Sequence, residues 1–83
     1  MVRTKFSGRE IASVLIDHGF VRTDRAGSHL KLRYESPDTE EVRIVTVPMA
    51  SADDIPIGTL QSIADQCGAD DFHAWCRWIN QNL

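Results

Sequence analysis

The chain has 83 residues, of which 42% are hydrophobic and 25% charged, and its formal net charge is −3 at pH 7. These values are typical of a soluble globular protein, and the length predicts one domain over residues 1–83. No apolar run approaches the ~18 residues of a membrane span, and no secretory signal is visible, so we expect a cytoplasmic protein without a membrane partner. The two cysteines, Cys67 and Cys76, predict no disulfide framework.

Charge is distributed unevenly along the chain. A net negative charge disfavours nucleic-acid binding, but residues 1–35 hold more basic than acidic side chains. The basic residues of this segment are Arg3, Lys5, Arg9, Arg22, Arg25, Lys31 and Arg33, and the acidic residues are Glu10, Asp17, Asp24 and Glu35. A locally basic surface on an acidic protein is therefore possible.

The first predicted element is a helix over residues 8–18. Ser7 and Glu10 have the spacing of a capping box, and Phe6 and Ile11 have the spacing of the hydrophobic staple that accompanies it. A glycine directly after residue 18 supplies the left-handed stop.

Three strands in an antiparallel meander are predicted next, because the connections between them are too short for crossovers. The strands cover residues 20–24, about 28–35 and 42–47, and Pro48 ends the last one. A turn at 25–27 joins the first two strands, with a glycine at positive φ.

Two helices complete the prediction. Pro56 fits the first turn of the second helix, which ends at Gly68, and Asp70 is the predicted N-cap of a third helix that extends to about residue 82. One face of this third helix carries Phe72, Trp75, Cys76 and Ile79. The expected fold is α+β, with the order α-β-β-β-α and an added C-terminal helix.

The most informative feature is the triplet of Gly27, Ser28 and His29 at the mouth of a turn. Alternation along the following strand places His29, Lys31 and Arg33 on one face and the apolar residues on the other. An imidazole exchanges protons near neutral pH, and two neighbouring cations suit a phosphodiester. The pattern indicates proton transfer on nucleic acid, and RNA is favoured because its 2′-hydroxyl is an internal nucleophile.

Four blocks of sequence resemble the HicA toxin family: residues 17–21, the triplet at 27–29, residues 45–48 and residues 57–63. The matching core covers about residues 7–68. The resemblance implies a double-stranded-RNA-binding-domain-like fold, a ribosome-independent mRNA interferase without metal or cofactor, and a HicB-like antitoxin as partner. It further implies that His29 is the catalytic residue. We expect the RNA-binding residues to be Gly27, Ser28, Lys31, Arg33 and Arg25.

Other interpretations remain open at this point. His29 could be an idle, solvated residue after a turn, and Lys31 and Arg33 could be the solvated face of a strand. The domain could bind RNA without cleaving it, or it could be a decayed toxin that binds only protein.

Two features of the C-terminal segment suggest further sites. Cys67, His73 and Cys76 resemble metal ligands, but the paired spacing of a structural zinc site is missing, so we expect no metal. Trp75 is expected in the core, whereas an exposed Trp78 would mark a partner surface or a possible homodimer.

Overall fold

The computed structural model of the protein describes residues 2–49 and 53–83. Its elements are α1 (Gly8–Asp17), β1 (Val21–Ala26), β2 (His29–Glu35), β3 (Val42–Pro48), α2 (Ile57–Gln66) and α3 (Phe72–Gln81). The strands form one antiparallel sheet in the order β1-β2-β3. The predicted α+β fold with three antiparallel strands and an added C-terminal helix is confirmed.

Helix α1 begins as its sequence predicts. The Ser7 hydroxyl accepts a hydrogen bond from the Glu10 backbone N–H at 3.2 Å, and the Glu10 carboxylate accepts one from the Ser7 N–H at 3.0 Å. Phe6 and Ile11 are both fully buried, as expected of a hydrophobic staple. The helix ends one residue before the predicted end, because His18 is its C-cap.

The hydrophobic core lies between the helices and one face of β2 and β3. The strands contribute Leu30, Leu32, Val45 and Val47, and the helices contribute, among others, Ile11, Leu15, Leu60, Ile63, Trp75 and Ile79. By contrast, every residue of β1 is exposed. Strand β1 therefore lies at the edge of the core and presents its side chains to solvent.

The turn between β1 and β2 is tighter than predicted. Strand β1 continues to Ala26, which pairs with His29, so only Gly27 and Ser28 form the connection. Gly27 has φ = 60°, and a type II′ hairpin turn takes glycine at this first central position. The predicted strand over 20–24 was wrong at its C-terminal end, because the two-residue turn allows two more residues to pair.

Strand β1 contains a bulge that the alternation pattern does not reveal. The pairs on either side of it are Arg22 with Leu32, Asp24 with Lys31, and Arg25 with Leu30. The extra residue is Thr23, whose hydroxyl donates to the Lys31 carbonyl oxygen at 3.4 Å. Because paired residues point to the same face of a sheet, the bulge turns both Arg22 and Arg25 toward the helix side.

The caps of the last two helices differ by one position from the prediction. Pro56 is the N-cap of α2 rather than its first helical residue. The N-cap of α3 is Asp71, not Asp70, because the Asp71 carboxylate accepts the Ala74 N–H at 3.1 Å. An acceptor one residue earlier would not face this donor three positions into the helix.

Trp78 packs against the end of α1, so it is half-buried rather than exposed. Its ring lies edge-on to His18 with 4.8 Å between the ring centroids, and His18 Nδ1–H donates to the Val14 carbonyl oxygen at 2.8 Å. This contact holds α3 against α1. The homodimer suggested by Trp78 stays a prediction.

Close backbone packing joins α1 to the end of β3. A Cβ atom at Gly8 would collide with the Pro48 carbonyl oxygen, so a glycine is required there. The Met49 N–H then donates to the Ser28 carbonyl oxygen, which connects the end of β3 to the hairpin turn. Residues 50–52, in the connection between β3 and α2, lie outside the described residues.

None of the helices in residues 2–49 and 53–83 has the length and apolar character needed to cross a bilayer.

Candidate functional site

His29 is the first residue of β2 and is exposed to solvent. Its backbone lies between two neighbours in the sheet, Ala26 of β1 and Pro48 of β3. The next residue, Leu30, is buried in the core, so the imidazole points to the opposite, solvent face. An accessible side chain on a backbone paired on both sides is well positioned to act on a bound ligand.

The turn beside His29 is open to ligand. The Ser28 hydroxyl oxygen lies 3.5 Å from His29 Nδ1, a long contact that orients the ring only weakly. Apart from Gly27 itself and its two neighbours in the chain, no heavy atom of the described residues lies within 4 Å of the position that a Cβ of Gly27 would take. A ligand can therefore approach the backbone of the turn closely.

Two cations follow His29 on the same face of β2, but they differ in their surroundings. Lys31 is exposed and makes no ion pair with any described residue. Arg33 Nη2 lies 2.6 Å from the Glu35 carboxylate, so its charge is already partly neutralised. Lys31 is therefore the cation that is free to meet a phosphate beside His29.

Arg25 does not join this group. It pairs with Leu30, whose side chain is buried on the helix side of the sheet. The structure thus brings together His29, Ser28 and Lys31 and places Arg25 on the other face of the hairpin.

A second basic region was missed by the sequence analysis. An open cleft of about 440 Å³ lies between α1 and β1, and Arg9 and Ser13 line it together with Arg22 and Arg25. Arg9 and Ser13 are four residues apart, the spacing of one helix face, and this was the available signal. The position of Arg25 depends on the bulge, for which the sequence holds no comparable signal.

The cysteines behave as interior thiols. Burial raises the pKa of Cys67 to about 11, and burial also raises the pKa of Cys76. Both are free thiols, and His73 is exposed on α3. Within the described ranges, no three His, Cys, Asp or Glu side chains converge in a way that could hold a metal ion.

Comparison with protein-family models identifies the family. Residues 8–69 match the model described as the HicA toxin of bacterial toxin–antitoxin systems. A comparison with curated protein sequences gives no significant match. The matched segment runs from α1 through α2 and includes the hairpin with His29, while α3 lies beyond it. Because the match covers most of the chain, the protein belongs to the HicA toxin family, the toxins of toxin–antitoxin systems, and so has an antitoxin as its partner.

Proposed function

We propose that the protein is an endoribonuclease toxin that cleaves mRNA and uses His29 for proton transfer. The observation that carries this proposal is the exposed imidazole at the hairpin turn, with the unpaired ammonium group of Lys31 on the same face. Residues two apart on one face of a strand are separated by ~7 Å. One phosphodiester with its ribose can therefore contact both side chains.

The proposed reaction is an internal transfer within the RNA chain. The neutral His29 imidazole takes the proton of a 2′-hydroxyl, and the 2′-oxygen attacks the adjacent phosphorus. The bond from phosphorus to the 5′-oxygen breaks, and that oxygen takes a proton from water. The products are a 2′,3′-cyclic phosphate and a free 5′-hydroxyl. General acid–base help of this kind contributes ~10²–10⁴ in rate.

The neighbouring residues bind the reacting phosphate. The Lys31 ammonium group stabilises the charge that develops on its oxygens. Arg33 contributes less because Glu35 already contacts it. Gly27 and the Ser28 backbone allow close approach of the ribose-phosphate chain at the open turn.

The reaction needs neither a metal ion nor the ribosome, since the RNA supplies its own nucleophile and His29 supplies the base. We further propose that the antitoxin is HicB-like and covers His29. The activity would then be cytoplasmic, where mRNA is available and the antitoxin is made.

Cleavage of a labelled single-stranded RNA by purified protein, with a metal chelator and without ribosomes, tests the proposal. We expect the native protein to yield 2′,3′-cyclic phosphate ends and His29→Ala to lose at least ~10²-fold in rate. Lys31→Gln should lose less, because proton transfer remains.

The matched control is His73→Ala, which removes another exposed histidine from α3. It should cleave at the native rate, and circular dichroism should show all variants folded. Equal cleavage by the native protein and His29→Ala would overturn the role of His29. Absence of cleavage by the folded native protein would overturn the nuclease assignment.

A further inference from the structure

We propose that the cleft between α1 and β1 is a second RNA-binding site, which holds the sugar-phosphate backbone of the strand whose cleavage is attributed above to His29. This inference rests on that proposed function for the identity of its ligand. The cleft residues that carry it are Arg9, Ser13, Asp17, Arg22, Arg25 and Met49. We call this set the α1–β1 cleft.

The bulge in β1 is what assembles the α1–β1 cleft. With regular alternation, two residues three positions apart would point to opposite faces of the sheet. The extra residue at Thr23 instead leaves Arg22 opposite Leu32 and Arg25 opposite Leu30. Since these leucines lie two residues apart on one face, the two arginines follow each other at ~7 Å along the cleft, a spacing comparable to that of adjacent phosphates.

The arginines of the cleft form no ion pairs with the residues that the structure describes. Throughout the part of the chain that the structure describes, Arg9, Arg22 and Arg25 make no ion pair. The arginines that do have carboxylate partners, Arg3, Arg33 and Arg43, lie elsewhere. Three guanidinium groups of one sign around one opening attract a polyanion.

One acidic residue also lines the cleft. Asp17 is the last residue of α1, and its carboxylate reduces the formal charge of the lining residues from +3 to +2. One turn earlier on the same wall, α1 carries the Ser13 hydroxyl, which both donates and accepts hydrogen bonds. A phosphate between the arginines would contact their guanidinium groups, and its ribose would then lie close enough to Ser13 to form a hydrogen bond with the hydroxyl.

The position of the cleft favours a nucleic-acid strand over an acidic peptide. Met49 lines the cleft, and its N–H donates to the Ser28 carbonyl oxygen, one residue before His29. The cleft and the imidazole thus lie on the two faces of one narrow hairpin. A strand that bends around the exposed β1 edge can contact both, and phosphate contacts of this kind bind and orient without reading sequence.

The test measures binding separately from cleavage. All proteins carry His29→Ala, and fluorescence anisotropy of a labelled single-stranded RNA gives the dissociation constant over a series of salt concentrations. Each phosphate contact adds ~0.7 to the slope of log K against log salt concentration. The triple variant Arg9→Gln, Arg22→Gln and Arg25→Gln should therefore lower the slope by about 2 and weaken binding on the order of tenfold at low salt.

Two controls separate the site from general charge effects. Arg77→Gln removes one positive charge from α3, as each substitution of the triple variant does from the cleft. The Arg77 side chain lines a different depression, so this variant should leave the slope unchanged. Arg22→Lys together with Arg25→Lys should retain most of the slope because the charge remains. A loss of slope in Arg77→Gln equal to one third of the loss in the triple variant would overturn the proposal. An unchanged slope in the triple variant, or no RNA binding at low salt, would also overturn it.

Competition experiments identify the ligand of the cleft. Inorganic phosphate should compete only weakly, because a strand makes several contacts at once. Binding of a glutamate-rich peptide that requires the same arginines, with RNA binding unaffected by their loss, would instead assign the cleft to an acidic protein partner. Retained cleavage in His29→Ala would overturn the role of His29, whereas an unchanged salt slope in the triple variant would overturn the binding role of the cleft. The two measurements are separate, so the failure of one proposal is distinguishable from the failure of the other.

Discussion

The two ends of the chain differ in charge, and strand β1 differs from helices α2 and α3 in burial. The segment up to β2 holds seven of the basic residues, and its outer strand β1 has no buried side chain. The segment from residue 36 onward holds only Arg43 and Arg77 as basic residues. Its acidic residues are Asp38, Glu40, Glu41, Asp53, Asp54, Asp65, Asp70 and Asp71. Its helices α2 and α3 nevertheless supply much of the core.

This contrast explains how an acidic protein can present the basic surface that is proposed above to bind RNA. All side chains on β1 are exposed, so their charges carry only a small cost in desolvation. All eight of these acidic residues are exposed, and all except Asp65 lie in the connections between elements. Stability and binding thus depend on different residues, and substitutions can separate them.

The largest expected effect is on the stability contributed by α2. Ile63→Ala removes a side chain that is 1% exposed, and we expect a loss of about 2–5 kcal/mol in the free energy of unfolding. Arg22→Gln and Arg25→Gln change exposed residues of β1 and should alter it by less than ~0.5 kcal/mol. Urea denaturation followed by tryptophan fluorescence measures both.

A similar cost for the β1 variants would contradict the division between the two regions. In that case the arginines would be structural, and a weakened RNA interaction in those variants could be attributed to partial unfolding. If the β1 variants keep the stability of the native protein but bind RNA less tightly, the division between residues for stability and residues for binding is supported.

Local sequence signals were sufficient for most of the fold. The capping box of Ser7 and Glu10, the glycine of the hairpin turn and the alternation of β2 each act within a few residues, and each is present in the structure. The cap of α3 was misplaced because Asp70 and Asp71 are adjacent and chemically alike. Only the phase of the helix, set by burial of Trp75 and Ile79, distinguishes them.

The site was only partly predictable for a related reason. The exposed positions of His29 and Lys31 follow from alternation and were expected. The position of Arg25 depends on a bulge, and neither Thr23 nor its neighbours is a residue type that signals one. The ion pair between Arg33 and Glu35 joins residues two apart on one strand face, so the sequence permits it without requiring it.

The second largest expected effect is a loss of stability at alkaline pH, which arises from Cys67 at the end of α2. Burial raises the pKa of Cys67 from an ordinary value of 9.0 to about 11, while the charge of Arg43 lowers it. The unfolded chain therefore loses this proton first. The protonated Cys67 thiol therefore makes its full contribution to the free energy of unfolding below pH 9.0. This contribution declines as the pH rises toward about 11, by at most ~1.4 kcal/mol for each pH unit.

Denaturation of the native protein and of Cys67→Ala between pH 8 and 11 measures this contribution. Over this range the free energy of unfolding of the native protein should fall by about 2 kcal/mol more than that of the variant. If the free energies of unfolding of the two proteins instead change in parallel with pH, the thiol is as accessible to water as the hairpin residues. That result would weaken the contrast between the two regions.

The smallest effect concerns Glu10, which belongs to the basic segment but neutralises part of it. Its carboxylate accepts the Ser7 N–H and contacts Arg3 at 3.0 Å, so Arg3 is not available for RNA. The bond from the Ser7 backbone, followed by the contacts of Arg3, lowers the pKa of Glu10 below 4.5. The stabilisation is therefore present above pH 4.5 and disappears as the pH falls through the lowered value.

We expect Glu10→Gln to cost about 0.5–1 kcal/mol at pH 7 and progressively less as the pH falls below 4.5, measured by urea denaturation over this range. Glu41→Gln is the matched control, because Glu41 pairs with Arg43 at the surface without capping a helix, and it should have a smaller effect. If Glu10→Gln also strengthens RNA binding, the released Arg3 contributes to the basic surface. Unchanged binding would limit that surface to the hairpin and the α1–β1 cleft, and would show that position, rather than the number of cations in the segment, determines the interaction with RNA.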